Sequence, residues 1–597
     1  MASNHVLSPA FPPFVRPKLS PEGWKNSLQT NNVCSLRIWP VPGWVTSINP
    51  CSRSSRQRLS TYYSPSSWSY EFLETLANDN NVLMEAEMDT IKSLEEEVKC
   101  MLDDETAEPL ASLELIDDIC RLGLGYLFEE NIKRALNRVV QSSENDCNQA
   151  ILKSRHASAL YFRILRQHGF EISTDMMFVS FMDNGIGSAN MVEDARDLLS
   201  LYEASHLAFD GENGLAEAGE YARFHLRNML GMLDAATAEQ VTHALELPFH
   251  QRMQRFEARW NIATYNKLRS LHQLAKLDFN SVQFAHQQDL AEVSRWWREI
   301  GLAGKLSFAR DRLMESFFWT VGIVFQPQHS KCRKELTKVI KFITVLDDVY
   351  DIYGSIEELE LLTNAVERWD ISSTVDLPDY MKICFLALYN TVNGIAFESL
   401  KKQGQFVAPH LAKVWADVCK SFLQEAKWCN AKYIPTFDEY LNNAWVSSTG
   451  AAVLVHAFFL MSHEDINLPE AVTKLNDYPP IIRLSSTILR LANDLGSFEA
   501  EAERGESTNA ITCYMHQFGE SEEAARTYIR NLIDESWKKM NTEMVRDSIF
   551  GKCFVETAAN LARTGQCQYQ YGDGHSSPNS ITRTIVSSLI VESVQVD

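Results

Sequence analysis

From about Trp68 onward, apolar residues recur three and four positions apart, while strand-like alternation and Asn-Gly hairpin signals are scarce. The pattern predicts an all-α chain. In the stretch Met84 to Met101, Met88, Ile91, Leu94 and Val98 form one apolar stripe and acidic residues surround it, as on an amphipathic helix whose role is packing. There is no short internal repeat. The helical periodicity falls into two blocks, about 58–265 and 266–597, joined near Arg259 to Ala263.

A chain of 597 residues is too long for one compact core, so division into domains is expected. With 45% hydrophobic and 22% charged residues the composition is globular. No segment reaches the roughly 18 consecutive apolar residues of a bilayer span, so no stable membrane insertion is expected. A net charge of −22 argues against nucleic acid as a partner, because phosphate backbones are bound by clustered Lys and Arg. It also means that any anionic ligand needs bound cations or convergent Arg side chains to reverse the sign locally. The twelve cysteines are scattered without a Cys-x-x-Cys pair, which fits a reducing compartment.

Residues 1–57 differ from the rest. They hold nine Ser, eight Pro and six basic residues (Arg16, Lys18, Lys25, Arg37, Arg53, Arg56) against the single acid Glu22, without a continuous apolar core. This composition predicts an organellar transit peptide rather than a secretory signal.

The first block carries no Asp-x-Asp-Asp cluster that could protonate a substrate. Its bare pairs Asp103-Asp104 and Asp117-Asp118 are expected on solvated helix faces or caps. The second block is different. Asp347, Asp348 and Asp351 fall within five residues directly after the apolar run Phe342 to Leu346. On an α-helix Asp347 and Asp351 are i and i+4 and repel each other unless a cation sits between them. Hard carboxylate oxygens suit Mg²⁺, which keeps waters and bridges to phosphates. Further on, Asn493, Ser497 and Glu501 lie at i, i+4 and i+8, with Arg490 one turn before them. Arg310-Asp311-Arg312, 37 residues before Asp347, offers guanidinium groups for bidentate phosphate recognition. Phe317-Phe318-Trp319 follows it: core rings, or the lining of a cavity whose ring faces stabilise a cation.

Together these stretches resemble the plant terpene synthase family, and the likeness runs from about Arg58 to the C-terminus. It is carried by Phe308 to Arg312, Leu346 to Gly354, Arg490 to Ser497, Arg504-Gly505-Glu506 and Tyr569 to His575. The resemblance implies a class I helical bundle after a relic α-barrel without its own site. It further implies that Asp347, Asp348 and Asp351 bind two divalent ions, Mg²⁺ or Mn²⁺, and that Asn493, Ser497 and Glu501 bind a third. Arg310 and Arg490 would then hold the diphosphate of a prenyl substrate, with Asp347, Asp351 and Asn493 facing it through the ions. Trp319 would line the carbocation pocket, and Tyr569 to His575, with the loop after Glu501, would form a lid. The expected activity is that of a plastid monoterpene synthase acting on geranyl diphosphate, as a monomer or alternatively a homodimer. A sesquiterpene synthase using farnesyl diphosphate is the main rival; a non-catalytic scaffold is the remote one. Two departures from the family pattern stand out. Leu59 replaces the second Arg of the Arg-Arg pair that precedes Trp68, which weakens the case for a cyclic product, and Asn509 stands where many relatives have Lys.

Overall fold

Two helices in the second block are apolar over most of their surface, and such helices lie at the centre of a bundle. The computed structural model describes residues 65–77, 81–143, 154–175, 194–461, 466–504, 508–546 and 548–596. The expected transit peptide, the Arg58-Leu59 frame and Gly505-Glu506 of the expected second lid loop lie outside the described residues. Among those described, no residue is in a strand.

The first block holds α1 (Tyr70–Thr75), α2 (Asn81–Asp103), α3 (Pro109–Arg121), α4 (Glu129–Ser143), α5 (Arg155–Gln167), α6 (Ala195–Ser205), α7 (Asn213–Met229), α8 (Ala235–Glu246) and α9 (Gln254–Thr264). The second continues with α10 (Arg269–Ile300), α11 (Leu313–Ile323), α12 (Ser330–Asp348), α13 (Ile356–Arg368), α14 (Asp379–Gln403) and α15 (Ala408–Ala431). It is completed by α16 (Phe437–Ser447), α17 (Gly450–Leu460), α18 (Leu468–Leu475), α19 (Pro480–Arg504), α20 (Ala510–Phe518), α21 (Glu522–Val545), α22 (Lys552–Tyr569) and α23 (Ser580–Ile590).

The mostly apolar helices are α11 and α17: every residue of α11 is buried, as is α17 from Gly450 to Phe459. Around them α10, α12, α19 and α22 pack as a layer. Close approach is built in where α19 meets α22, since a Cβ on Gly565 would lie 2.8 Å from the Leu489 side chain. Long surface helices start on sequence-legible caps. Ser355 and Thr436 each form a capping box, with Glu358 and Glu439 three residues on.

The two blocks share one apolar core that runs from Leu73 to Ile590, beside a smaller cluster of α5 to α8 centred on Phe162, Leu201 and Leu226. Polar pins also cross between them. The buried Asn541 of α21 accepts from His250 Nε2 at 2.7 Å and donates to the carbonyls of His206 and Ala208 at 2.9 and 3.0 Å. Asp117 and Asp118 are not solvated as expected. Asp117 pairs with Arg121 and Arg163 at 3.0 and 2.7 Å, and Asp118 with Lys267 at 2.6 Å and the Tyr265 hydroxyl at 3.1 Å. Arg121 lies one turn along the same helix, but Arg163, Tyr265 and Lys267 come from elsewhere in the chain, so a sequence pair looked bare that the fold has neutralised.

Two helical stretches, α14 and Phe437–Leu460, are long and apolar enough by composition to cross a membrane. The second is mostly buried core; α14 keeps one face outside. Replacing Asn541 with Leu leaves two carbonyls and an imidazole N–H without partners. It should lower stability by about 2–4 kcal/mol, seen as a reduced Tm with unchanged helical circular dichroism; an unchanged Tm would mean that these bonds do not hold the blocks together.

Candidate active site

The aspartate-rich run ends α12. Beyond it the backbone does not continue as the α-helix that the spacing predicts: Val349–Tyr353 forms a π turn, closed by Gly354 N–H donating to the Val349 carbonyl at 2.8 Å. Such turns are frequent at functional sites. Gly354 is required there, since a Cβ would lie 2.5 Å from the Leu359 side chain.

The three carboxylates then divide. Asp351 is exposed, the Asp347 side chain is 32% exposed and that of Asp348 is wholly buried. Burial of Asp348 is made tolerable by Arg310, whose Nε lies 2.8 Å from one carboxylate oxygen and whose main-chain N–H donates to the other at 2.6 Å. The same guanidinium pairs with Asp347 through Nη2. Burial pushes the Asp348 carboxyl above the usual carboxylate range, with Asp347 adding to the shift and Arg310 opposing it.

A second cluster lies on α19. Arg490 Nε is 3.0 Å from Asp494 Oδ1 and donates to the Tyr440 hydroxyl at 2.7 Å; that hydroxyl in turn donates to Asp494. Ser497 Oγ donates to Glu501 Oε1 at 2.5 Å, and Asn509 Nδ2 donates to the other Glu501 oxygen at 2.8 Å. Burial, reinforced by the Asp494 charge, raises the Glu501 carboxyl to about 7. Asn493 is partly exposed beside them.

The sequence did not reveal Glu425 of α15. It accepts from Ser447 Oγ at 2.6 Å and from Asn443 at 3.3 Å. Burial raises its carboxyl, Arg490 opposes the shift, and Asp347 and Asp494 add to it. No local motif marks Glu425, since its neighbours in space come from three other helices. Tyr440 and Asp494 were also missed, although Asp494 adjoins Asn493.

Below the charged end, Trp319 of α11 and Tyr569 at the end of α22 face each other with ring centroids 6.0 Å apart. Phe317 and Phe318 are plain core. Gly496 lets α19 approach this point, for a Cβ there would lie 2.4 Å from the Tyr569 carbonyl. Burial raises the Tyr569 hydroxyl far above its ordinary value, with the Asp573 and Asp347 charges adding to the shift and Arg310 and Arg490 opposing it.

The segment after Tyr569 folds back over the aspartates. Arg310 Nη1 donates to Ser576 Oγ at 2.6 Å, Arg312 Nη2 donates to the Ser576 carbonyl at 2.9 Å, and Thr344 Oγ1 lies 3.0 Å from His575 Nε2. Burial, with Arg310, Lys341 and Arg312 nearby, holds His575 far below its ordinary pKa and therefore neutral. Asp573 turns the segment by accepting from the His575 and Ser576 N–H groups at 3.1 and 2.8 Å.

The donor set is chemically suited to a hard divalent cation. It consists of carboxylate, amide and hydroxyl oxygens, although among the described residues no three His, Cys, Asp or Glu side chains stand together as a metal cage.

Residues 67–245 match "Terpene synthase, N-terminal domain" and residues 298–539 match "Terpene synthase family, metal binding domain". An isoprene synthase of Populus tremuloides, named chloroplastic, is 51% identical over 544 residues, covering 90% of each chain. Among solved structures, isoprene synthase from grey poplar leaves (Populus x canescens), in complex with three Mg²⁺ ions and dimethylallyl-S-thiolodiphosphate, aligns with a TM-score of 0.80 and 50% identity. It covers 89% of this chain and 99% of that one. A limonene synthase with 2-fluorolinalyl diphosphate aligns with a TM-score of 0.84 and 36% identity, covering 90% of this chain and all of that one.

A carboxyl that holds its proton more tightly when folded contributes stability that is full below its ordinary value of 4.5 and is lost as pH rises through about 7. Glu501→Gln removes that loss. In chelator-treated protein, its Tm relative to the parent should therefore grow between about pH 5 and about pH 8; a constant difference would contradict this account of Glu501.

Proposed function

The chain belongs to the terpene synthase family and is a plastid lyase acting on a prenyl diphosphate, and within that family we propose that it is a monoterpene synthase that ionises geranyl diphosphate. The observation that carries this reading is the meeting of two oxygen-donor clusters and two guanidinium groups over one aromatic floor. Asp347 and Asp351 on one side, and Asn493, Ser497 and Glu501 on the other, would hold Mg²⁺ or Mn²⁺. Divalent ions held there supply the positive charge that stabilises a departing diphosphate.

The chain's own residues do the rest. Arg310 and Arg490 would bind diphosphate oxygens, and both stand charged and close to the floor. Asp348 acts as the anchor that aims Arg310. Its carboxylate accepts the Arg310 main-chain N–H and forms an ion pair with the guanidinium at Nε, while the Nη groups are directed at Asp347 and Ser576. Trp319 and Tyr569 offer ring faces to an allylic cation. The segment through His575 and Ser576 excludes water from it. The reaction would end by proton loss or by capture of one admitted water, and no side-chain nucleophile is needed. The first block, about 58–265, would serve as a packing partner without a site of its own, and 266–597 as the catalytic domain.

The ten-carbon substrate is supported by the likeness to a limonene synthase solved with 2-fluorolinalyl diphosphate and by the aliphatic residues near the donor clusters. Ile340 sits seven residues before Asp347 and Leu489 four before Asn493, so both project beneath the donor clusters. Both are aliphatic and nearly buried, so neither puts a polar group beside the hydrocarbon chain of a prenyl substrate. A second reading, elimination from dimethylallyl diphosphate, is favoured by the 51% identity to an isoprene synthase.

The test is incubation of the protein, started at about Arg58, with dimethylallyl, geranyl or farnesyl diphosphate and Mg²⁺ or Mn²⁺, and identification of the volatiles. Geranyl diphosphate should give the highest kcat/KM. A preference for dimethylallyl diphosphate would select the second reading, and no turnover of any of the three would overturn both. Asp347→Ala should lower turnover by about a thousandfold or more while helical circular dichroism is kept; unchanged activity would refute the metal assignment.

A further inference from the structure

Three soft donors meet at the end of the bundle opposite the aspartates. His329 directly precedes α12, Met461 directly follows α17 and Cys553 is the second residue of α22. Cys553 Sγ lies 3.9 Å from His329 Nε2 and 4.0 Å from Met461 Sδ. Asp347 and Tyr569 stand at the far ends of two of these helices, about 24–26 Å away at 1.5 Å per residue, so the cluster is separate from the candidate active site. The surroundings hold all three donors in place. Arg333, buried one turn along α12 from His329, pairs with Asp289 at 2.5 Å. It also donates to the carbonyls of Val324, Phe325 and Gln326 at 2.8, 3.2 and 3.1 Å, which fixes the turn leading into His329. Phe458 of α17 packs edge-on against Phe550 and Phe554, which flank Cys553 in sequence, with ring centroids 6.0 and 5.3 Å apart. Thr557 Oγ1 donates to Met461 Sδ at 3.9 Å.

Hydrogen bonding alone does not account for this arrangement, since one S–H points at one acceptor at a time. The spacing matches that of metal ligands. First-row metal bonds of about 2.3 Å to sulfur and about 2.0 Å to nitrogen, spread at about 120°, place two sulfurs about 4.0 Å apart and a sulfur and a nitrogen about 3.7 Å apart. The observed 4.0 and 3.9 Å are close to these values. The donor types then select the metal. Thiolate and thioether are soft ligands, and together they favour Cu(I). Structural Zn²⁺ asks for four ligands without a thioether, and among the described residues no third His, Cys, Asp or Glu joins His329 and Cys553. Mg²⁺ and Mn²⁺ prefer oxygen. Burial, together with Arg333, lowers the His329 pKa, so its imidazole is neutral and has a nitrogen lone pair to give. Burial, with Glu129 and Glu556 adding to it, raises the Cys553 thiol, which stays protonated until a metal displaces the proton.

We propose that His329, Met461 and Cys553 form a three-coordinate site for one Cu(I) ion. Binding replaces the S–H bond of Cys553 with an S–Cu bond and releases one proton to solvent. Copper stays monovalent throughout, so no oxidant or reductant takes part. The thiolate cancels the charge of the ion, and the occupied site adds no net charge to the interior. The start of α22 favours the thiolate so formed. The bound ion joins the ends of α12, α17 and α22. It stabilises the folded chain, because only folding brings the three donors together.

The test uses the chain from about Arg58, with the exposed Cys100 and Cys429 changed to Ser to remove thiols outside the site. It is titrated anaerobically with Cu(I) against the chromogenic chelator bicinchoninate. One equivalent should be retained, Tm should rise with it, and copper X-ray absorption should report ligation by two sulfurs and one nitrogen. Cys553→Ser should abolish retention. His329→Ala or Met461→Leu should each weaken it at least about tenfold, the loss that even an outer-shell partner costs. Without copper, all three variants should keep parental helical circular dichroism and kcat. Cys120→Ser is the control, since Cys120 lies 3.7 Å from His168 Nε2 outside the cluster, and it should change nothing. No copper retained, retention lost with Cys120→Ser, or retention by thiol alone that is indifferent to His329→Ala and Met461→Leu would overturn the proposal.

Discussion

Negative charge can be gathered inside a helical bundle only where each carboxylate meets a fixed partner, and the candidate site is organised around two such meetings, Arg310 with Asp348 and Arg490 with Asp494. Both acids are wholly buried, so an unpaired charge at either place would cost several kcal/mol. The pairing fixes the two guanidinium groups, and these set where the more accessible oxygens of Asp347, Ser497 and Glu501 can point. The buried helices α11 and α17 make the arrangement necessary, because their mostly apolar surfaces offer few groups to pair with a stray charge.

The same constraint explains the second ring of contacts. Tyr440 gives its hydroxyl proton to Asp494 and accepts from Arg490, closing a three-membered polar cluster that a sequence cannot display. Ser576 and His575 close over Arg310 from the C-terminal side, so the segment that shields the site is held by the residue that would bind the leaving group. Closure and substrate recognition would then share one side chain. A protein with a strongly negative net charge can in this way present a local positive end to an anion.

The fold class was legible because helical periodicity and capping boxes are local, and the family resemblance followed from short runs in fixed order. The ligand candidates were legible for the same reason, since their spacing is a property of one helix. What the sequence hid was pairing between helices. Asp117 and Asp118 read as solvated, yet Arg163 and Lys267 reach them from elsewhere in the chain. Asp348 read as an equal of Asp347 and Asp351, but it faces Arg310. Glu425 carried no signal at all. The π turn after Asp348 was also hidden, because the tight packing that makes Gly354 necessary comes from Leu359 in the following helix.

The central claim is that Asp347 and Asp351 face Asn493, Ser497 and Glu501 across a space that holds divalent ions together with a diphosphate. Crystals grown with Mn²⁺ and inorganic diphosphate, measured for anomalous scattering, test it most directly. The account predicts three anomalous peaks in that space, two contacting Asp347 and Asp351 and one contacting Asn493, Ser497 and Glu501, with Arg310 and Arg490 on the diphosphate oxygens. Well-diffracting crystals with diphosphate bound but no anomalous peak against either set of oxygens would contradict it.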